Sequence, residues 1–173
     1  MAISLYEASV PGYLQTLNAV SGFLEKGLKH LRENNVDPEG IVETRVYPDM
    51  LPFRFQIHSV VHHSLGAIEG IMSGIFRPPG EQPAHDYAAL QALVVSARDA
   101  LAKVSPEALN AREGGEVIFE LRGNRLPFTA ENFLLSFSVP NFYFHATTAY
   151  DILRSKGVPL GKRDYLGALR MNK

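Results

Sequence analysis

The stretch NFLLSFSVPNFYFHATTAY, residues Asn132–Tyr150, contains no Asp, Glu, Lys or Arg along its whole length. Its length invites a membrane-spanning reading. That reading fails, because Asn132, Pro140, Asn141, His145, Thr147 and Thr148 interrupt it and its apolar part is too short. A helix apolar on nearly all sides is instead buried on nearly all sides, at the centre of a bundle or against a second subunit. Pro140 removes one backbone donor and predicts a kink or a split. His145 and Asn141 become buried polar groups that need partners. The stripe Phe142, Ala146, Ala149 and Leu153 reads as plain core.

Outward from this run, Thr129 caps the final helical region, which extends to about Lys156 and closes on Gly157. Just upstream, Glu116–Leu121 alternates polar and apolar, Arg122–Gly123–Asn124 reads as a turn, and Arg125–Phe128 returns. This is the one strand signal in the chain, a small hairpin. Three more stretches step by three or four. The first is 11–33, with Pro11 at its start and Leu14, Leu17, Val20, Leu24, Leu28 and Leu31 on one face. The second is 52–76, with Phe53, Ile57, Val60, Val61, Ile68, Ile71 and Ile75. The third is 86–104, with Asp86 as N-cap. Residues 157–173 read as a polar tail. The expected architecture is all-α: one domain, 1–173, an antiparallel four-helix bundle with a small inserted β-hairpin.

Composition supports this. Hydrophobic residues make up 46% and charged residues 20%, which excludes a disordered chain. Lys+Arg is 17 against Asp+Glu 18, so the basic excess of a nucleic-acid binder is missing. Cys is 0, which removes thiolate ligands and a cysteine nucleophile. The opening MAISLYEASVPGYL lacks a basic and an apolar leader region, so a cytoplasmic protein without membrane association is expected. Without a glycine-rich phosphate loop, a Rossmann fingerprint or a serine elbow, no nucleotide cofactor is expected.

The chemistry rests on six histidines: His30, His58, His62, His63, His85 and His145. His30 and His85 stand in polar contexts and read as surface residues. His58 and His62 share one helix face with Arg54 and Glu69. An i,i+4 pair can chelate a metal, and is also what a solvated polar stripe carries. Ser59 stands where a zinc protease needs glutamate, so protease chemistry is excluded. His63 lies about 100° away, with Gln56, Ser59, Gly66 and Gly70, on a strip that reads as a packing seam. Burial of His145 would lower its pKa and keep it a neutral base or ligand. Asn141 and Thr148 share its face.

PNFYFHATTAYDILR (140–154), with Gly157–Val158 and GKRDYLG (161–167), resembles a domain-of-unknown-function branch of the DinB/YfiT-like superfamily. YPDMLPF (47–53) with Gln56 resembles the same branch's entry into its second helix. The resemblance implies a four-helix bundle with a pocket between helices, and a homodimer. It also implies a divalent metal (Zn, Ni, Fe or Mn) held by one histidine on the second helix and an HxxxH pair on the last. Here Ala149 and Asn141 stand four residues to either side of His145.

Three functions follow. One is an enzyme on a small-molecule substrate, with His58, His62 and His145 holding a metal with an open position. Another is a metal-free enzyme using the same histidines as general acid and base, for dehydration, isomerisation or cyclisation of a small aromatic or carbonyl compound. The third is a non-catalytic binding or stress-related dimer. The expected pocket lies between the second and last helices. It is lined by His58, His62 and His145, with Gln56, Asn141 and Tyr150 orienting substrate or histidine.

Overall fold

Ser4 starts the first helix, accepting from the Glu7 N–H at 3.3 Å, so α1 spans Leu5–Glu33. The expected start at Pro11 is corrected: the proline sits inside the helix and costs it one backbone bond, near its end. A computed structural model describes residues 3–80 and 83–171. After α1 come α2 (Glu39–Val42), α3 (Phe53–Val61), a π-helical turn π1 (His62–Gly66) and α4 (Ala67–Ser73). Then follow β1 (Ile75–Phe76), α5 (Tyr87–Leu101), α6 (Pro106–Asn110), β2 (Glu116–Leu121) and β3 (Asn124–Thr129). The chain ends with α7 (Ala130–Asn132), π2 (Phe133–Ser138), α8 (Val139–Ser155) and α9 (Lys162–Leu166).

Helix dominates, and the strands form one three-stranded sheet of order β1-β2-β3. β2 and β3 pair antiparallel from Glu116↔Thr129 to Leu121↔Asn124. Arg122 (φ 49°) and Gly123 (φ 83°) both take positive φ, as a two-residue hairpin turn requires. The expectation of a lone hairpin is corrected. Gly74, at φ 80°, ends α4 in the left-handed region, and Ile75–Phe76 leave the expected helix to pair parallel with Ile118 and Phe119. The sheet is therefore mixed.

The uncharged run is split as Pro140 demands. Its first part is wound as π2, and α8 begins with the proline in its first turn. Just beyond the proline, Asn141 Nδ2 donates to the Phe137 carbonyl at 2.7 Å. No helix among the described residues is long and apolar enough to cross a membrane.

The core joins α1, α3, α4, α5 and α8 through Leu17, Phe23, Ile57, Ile71, Leu90, Phe142 and Ile152, all at 0% exposure. At Gly27 an added Cβ would meet the Tyr87 hydroxyl at 2.6 Å; that hydroxyl donates to the Leu24 carbonyl at 2.9 Å, so glycine is what lets α5 approach α1. The C-terminal segment is tied back to α1 by the Lys26–Asp164 ion pair and by Gln15 Nε2 donating to the Leu166 carbonyl at 2.8 Å.

Candidate functional site

Helix α3 packs along α8. Gln56 and His63 are seven residues apart, two turns, so one face of the second helical stretch carries both. That face meets His145. Gln56 Oε1 lies 2.8 Å from His145 Nδ1, and Gln56 Nε2 donates to the Leu51 carbonyl at 2.8 Å. The carbonyl can only accept, so the amide must present its oxygen to the imidazole. His145 therefore carries its proton on Nδ1 and its lone pair on Nε2. Burial pushes the His145 pKa down to about 4, so the ring is neutral near pH 7.

His63 lies beside it, ring centroids 5.9 Å apart and planes 12° from parallel. Burial, then the neighbouring His62 and His145, lower its pKa to about 3. The rings of Phe76 and Phe137 close over it at 5.8 and 5.5 Å. Phe76 comes from β1, and Phe137 packs on Phe119 of β2 at 4.8 Å, so the small sheet walls the histidines. His63 Nδ1 and His62 Nε2 are buried and have no hydrogen-bond partner. The two π turns meet at this point. Ser138, fully buried in π2, donates to the His63 carbonyl in π1 at 2.8 Å and receives from Tyr13 at 3.4 Å. π turns recur at functional sites because they turn side chains out of the α register.

His58 and His62 do share a face, but it looks elsewhere. They line a cavity of about 180 Å³ with Glu69, Val61, Pro79 and Leu93, on the side of α5. His145 is not among its lining residues. The expected pocket of His58, His62 and His145 is not one cavity here: His58 and His62 line this one, while the strip read as a packing seam, Gln56 and His63, faces His145 on α8. His85 is corrected as well. It is half-buried, and its Nδ1 lies 3.0 Å from His58 Nε2. Nothing in its local sequence signals this, because the contact spans from the loop before α5 to α3. Asn141 spends its amide on Phe137, and the Tyr150 hydroxyl turns to the Leu160 carbonyl at 3.4 Å, so neither orients His145.

A family model described as "Domain of unknown function (DUF1993)" matches residues 5–166. The chain belongs to this family. No curated protein matches it. Among solved structures, this DUF1993 chain is similar to the crystal structure of a DinB family member protein from Shewanella denitrificans. Sequence identity is 24%, the match covers 98% of this chain and 95% of that one, and the TM-score is 0.81. The likeness establishes a DinB-like fold.

The three-histidine metal site implied by the resemblance does not fit these residues. Of the flanking positions, Asn141 is already hydrogen-bonded within its helix and Ala149 is buried without a donor atom. Among the described residues, no three His, Asp or Glu side chains are gathered as a metal-ligand set. What the DUF1993 chain does hold is a neutral imidazole of fixed tautomer, a second neutral imidazole at its side, and a wall of aromatic rings.

Proposed function

We propose that the protein is a small-molecule enzyme working by metal-free histidine acid–base chemistry, with His145 as the base, Gln56 as its positioning residue and His63 beside it. The observation that carries this is the relay from the Leu51 carbonyl through Gln56 to His145 Nδ1, which leaves the Nε2 lone pair as the reactive atom. Nε2 takes a proton from the substrate, and the positive charge that appears strengthens the Nδ1–H bond to the amide oxygen. Gln56 is neutral, so it steadies the imidazolium less than a carboxylate would, and the proton is readily returned to a neighbouring substrate atom. This suits isomerisation, dehydration or cyclisation of a small carbonyl or aromatic compound. Phe55 and Phe144, edge-on to His145 at 5.8 and 5.2 Å, favour a flat substrate.

The same reading takes the four long helical stretches as the antiparallel four-helix bundle of DinB-like proteins. It takes the working unit as a homodimer, supported by Leu135, Tyr143 and Phe144, which are exposed on π2 and α8.

The test needs no known substrate. The protein is incubated in D2O with a panel of small carbonyl and aromatic compounds, and proton NMR follows loss of C–H signals. Exchange catalysed by the wild type, and lost in His145→Ala with melting temperature kept, is the expected result. Exchange that survives His145→Ala overturns the proposal.

A further inference from the structure

Apart from His30 on α1, the histidines fall into two groups, His62–His63–His145 and His58–His85, and the acid–base reading uses only the first. The other is the pair His58 and His85. His58 is buried on α3, and His85 stands in the loop before α5. Their facing nitrogens, Nε2 and Nδ1, are 3.0 Å apart, with ring centroids at 4.8 Å and planes 22° from parallel. Two imidazoles bound to one divalent cation at about 2.0–2.1 Å hold their nitrogens about 2.9 Å apart at a right angle and about 3.3–3.4 Å apart at the tetrahedral angle. The observed spacing falls between them. The ring centroids are closer than a collinear N–H···N pair at this spacing would leave them, so the hydrogen bond between the two nitrogens is bent, and a cation would have to displace its proton.

The surroundings suit a cation. The cavity that His58 lines also receives His62 and Glu69, an imidazole and a carboxylate. His62 lines it by its ring, while its Nε2 is sealed from the cavity, with the Arg77 backbone nearby. Arg54, a positive charge facing His58, is held in an ion pair by Glu43. Imidazole donors select zinc, nickel or copper over magnesium or calcium.

We propose that His58 and His85 form a two-point clamp for a borderline divalent cation such as Zn2+ or Ni2+, separate from the His145 site and opening onto the cavity shared with His62 and Glu69. Only two imidazoles are fixed on the ion, so its other positions are filled by water or by the donor atoms of a bound small molecule. The clamp also ties the loop before α5 to α3.

Tag-free protein is titrated with Zn2+ and with Ni2+, by calorimetry and by competition with a chromophoric chelator. The expected result is one equivalent bound, weakened at least about tenfold in His58→Gln and in His85→Ala, a loss that removing even an outer hydrogen-bond partner of a ligand can reach. His145→Ala keeps wild-type affinity, which separates this site from the acid–base reading. His85 lies outside the helices, so His85→Ala retains the helical circular dichroism signal. No uptake of either ion overturns the proposal, as does uptake that His85→Ala leaves intact or that His145→Ala abolishes.

Discussion

Gln56 and His145 face each other across α3 and α8, Oε1 to Nδ1 at 2.8 Å, and the Leu51 carbonyl decides which way round the amide stands. This single relationship sets the tautomer of His145. Replacing the amide by a carboxylate would keep the shape, give up the donor to the Leu51 carbonyl and add a negative charge that favours imidazolium. In Gln56→Glu the His145 pKa, read by NMR titration, is expected to rise by about one unit or more from its depressed value near 4. A His145 titration identical to wild type would show that the two groups do not interact in solution.

Stability should depend on pH through the buried imidazoles. His63, His58 and His145 have folded-state pKa values near 3, 4 and 4, below the unfolded value of about 6.5. Between these limits the unfolded chain binds more protons than the folded one. Stability is therefore complete above about pH 6.5 and declines as pH falls toward 4, by up to about 1.4 kcal/mol per pH unit for each such histidine. Urea unfolding at pH 7.5 and at pH 5 measures the decline. His63→Leu should make it shallower, with His58 and His145 keeping their share, and an unchanged slope would place the sensitivity elsewhere.

The hydroxyl of Ser138 is the partner of the His63 carbonyl where the two π turns meet. Removing it takes away this bond and the acceptor of the buried Tyr13 hydroxyl, which costs about 1–3 kcal/mol. Ser138→Ala is expected to lower stability by this amount in chemical denaturation, while Ser136→Ala, exposed on the same turn, changes it little.

Dimerisation through the last helical stretch has its own measurement. Phe144 is 57% exposed and stands beside Tyr143, also exposed. A wild-type dimer in light scattering, converted to monomer by Phe144→Asp, is the expected outcome. A wild-type monomer at micromolar concentration would remove the dimer from the functional reading.

Much of this protein is legible along the chain, because local physics writes it there. The apolar period of three or four marks the helical stretches, and Asp86 caps α5 by accepting from the Ala89 N–H at 2.7 Å. The hairpin returns at Arg122–Gly123, and Gly157 closes α8 at φ 86°. Pro140 announces the break that π2 and α8 realise. Periodicity also sorts the second helical stretch into two faces, His58 with His62 and Gln56 with His63. It does not say which face meets which neighbour. That depends on rotation of the helix about its axis, and rotation is settled by long-range packing. Phe76 against His63, Ser138 under the His63 carbonyl and Gln56 against His145 turn the second face toward α8. His58 is left to meet His85, from a loop that no local pattern links to α3. Local pattern alone carries most of the helices, the hairpin and the inventory of imidazoles, but not β1, which leaves its helix to pair with β2. Which imidazoles are neighbours follows from long-range packing, because a shift of one face is about 100° of helix rotation and changes no local preference.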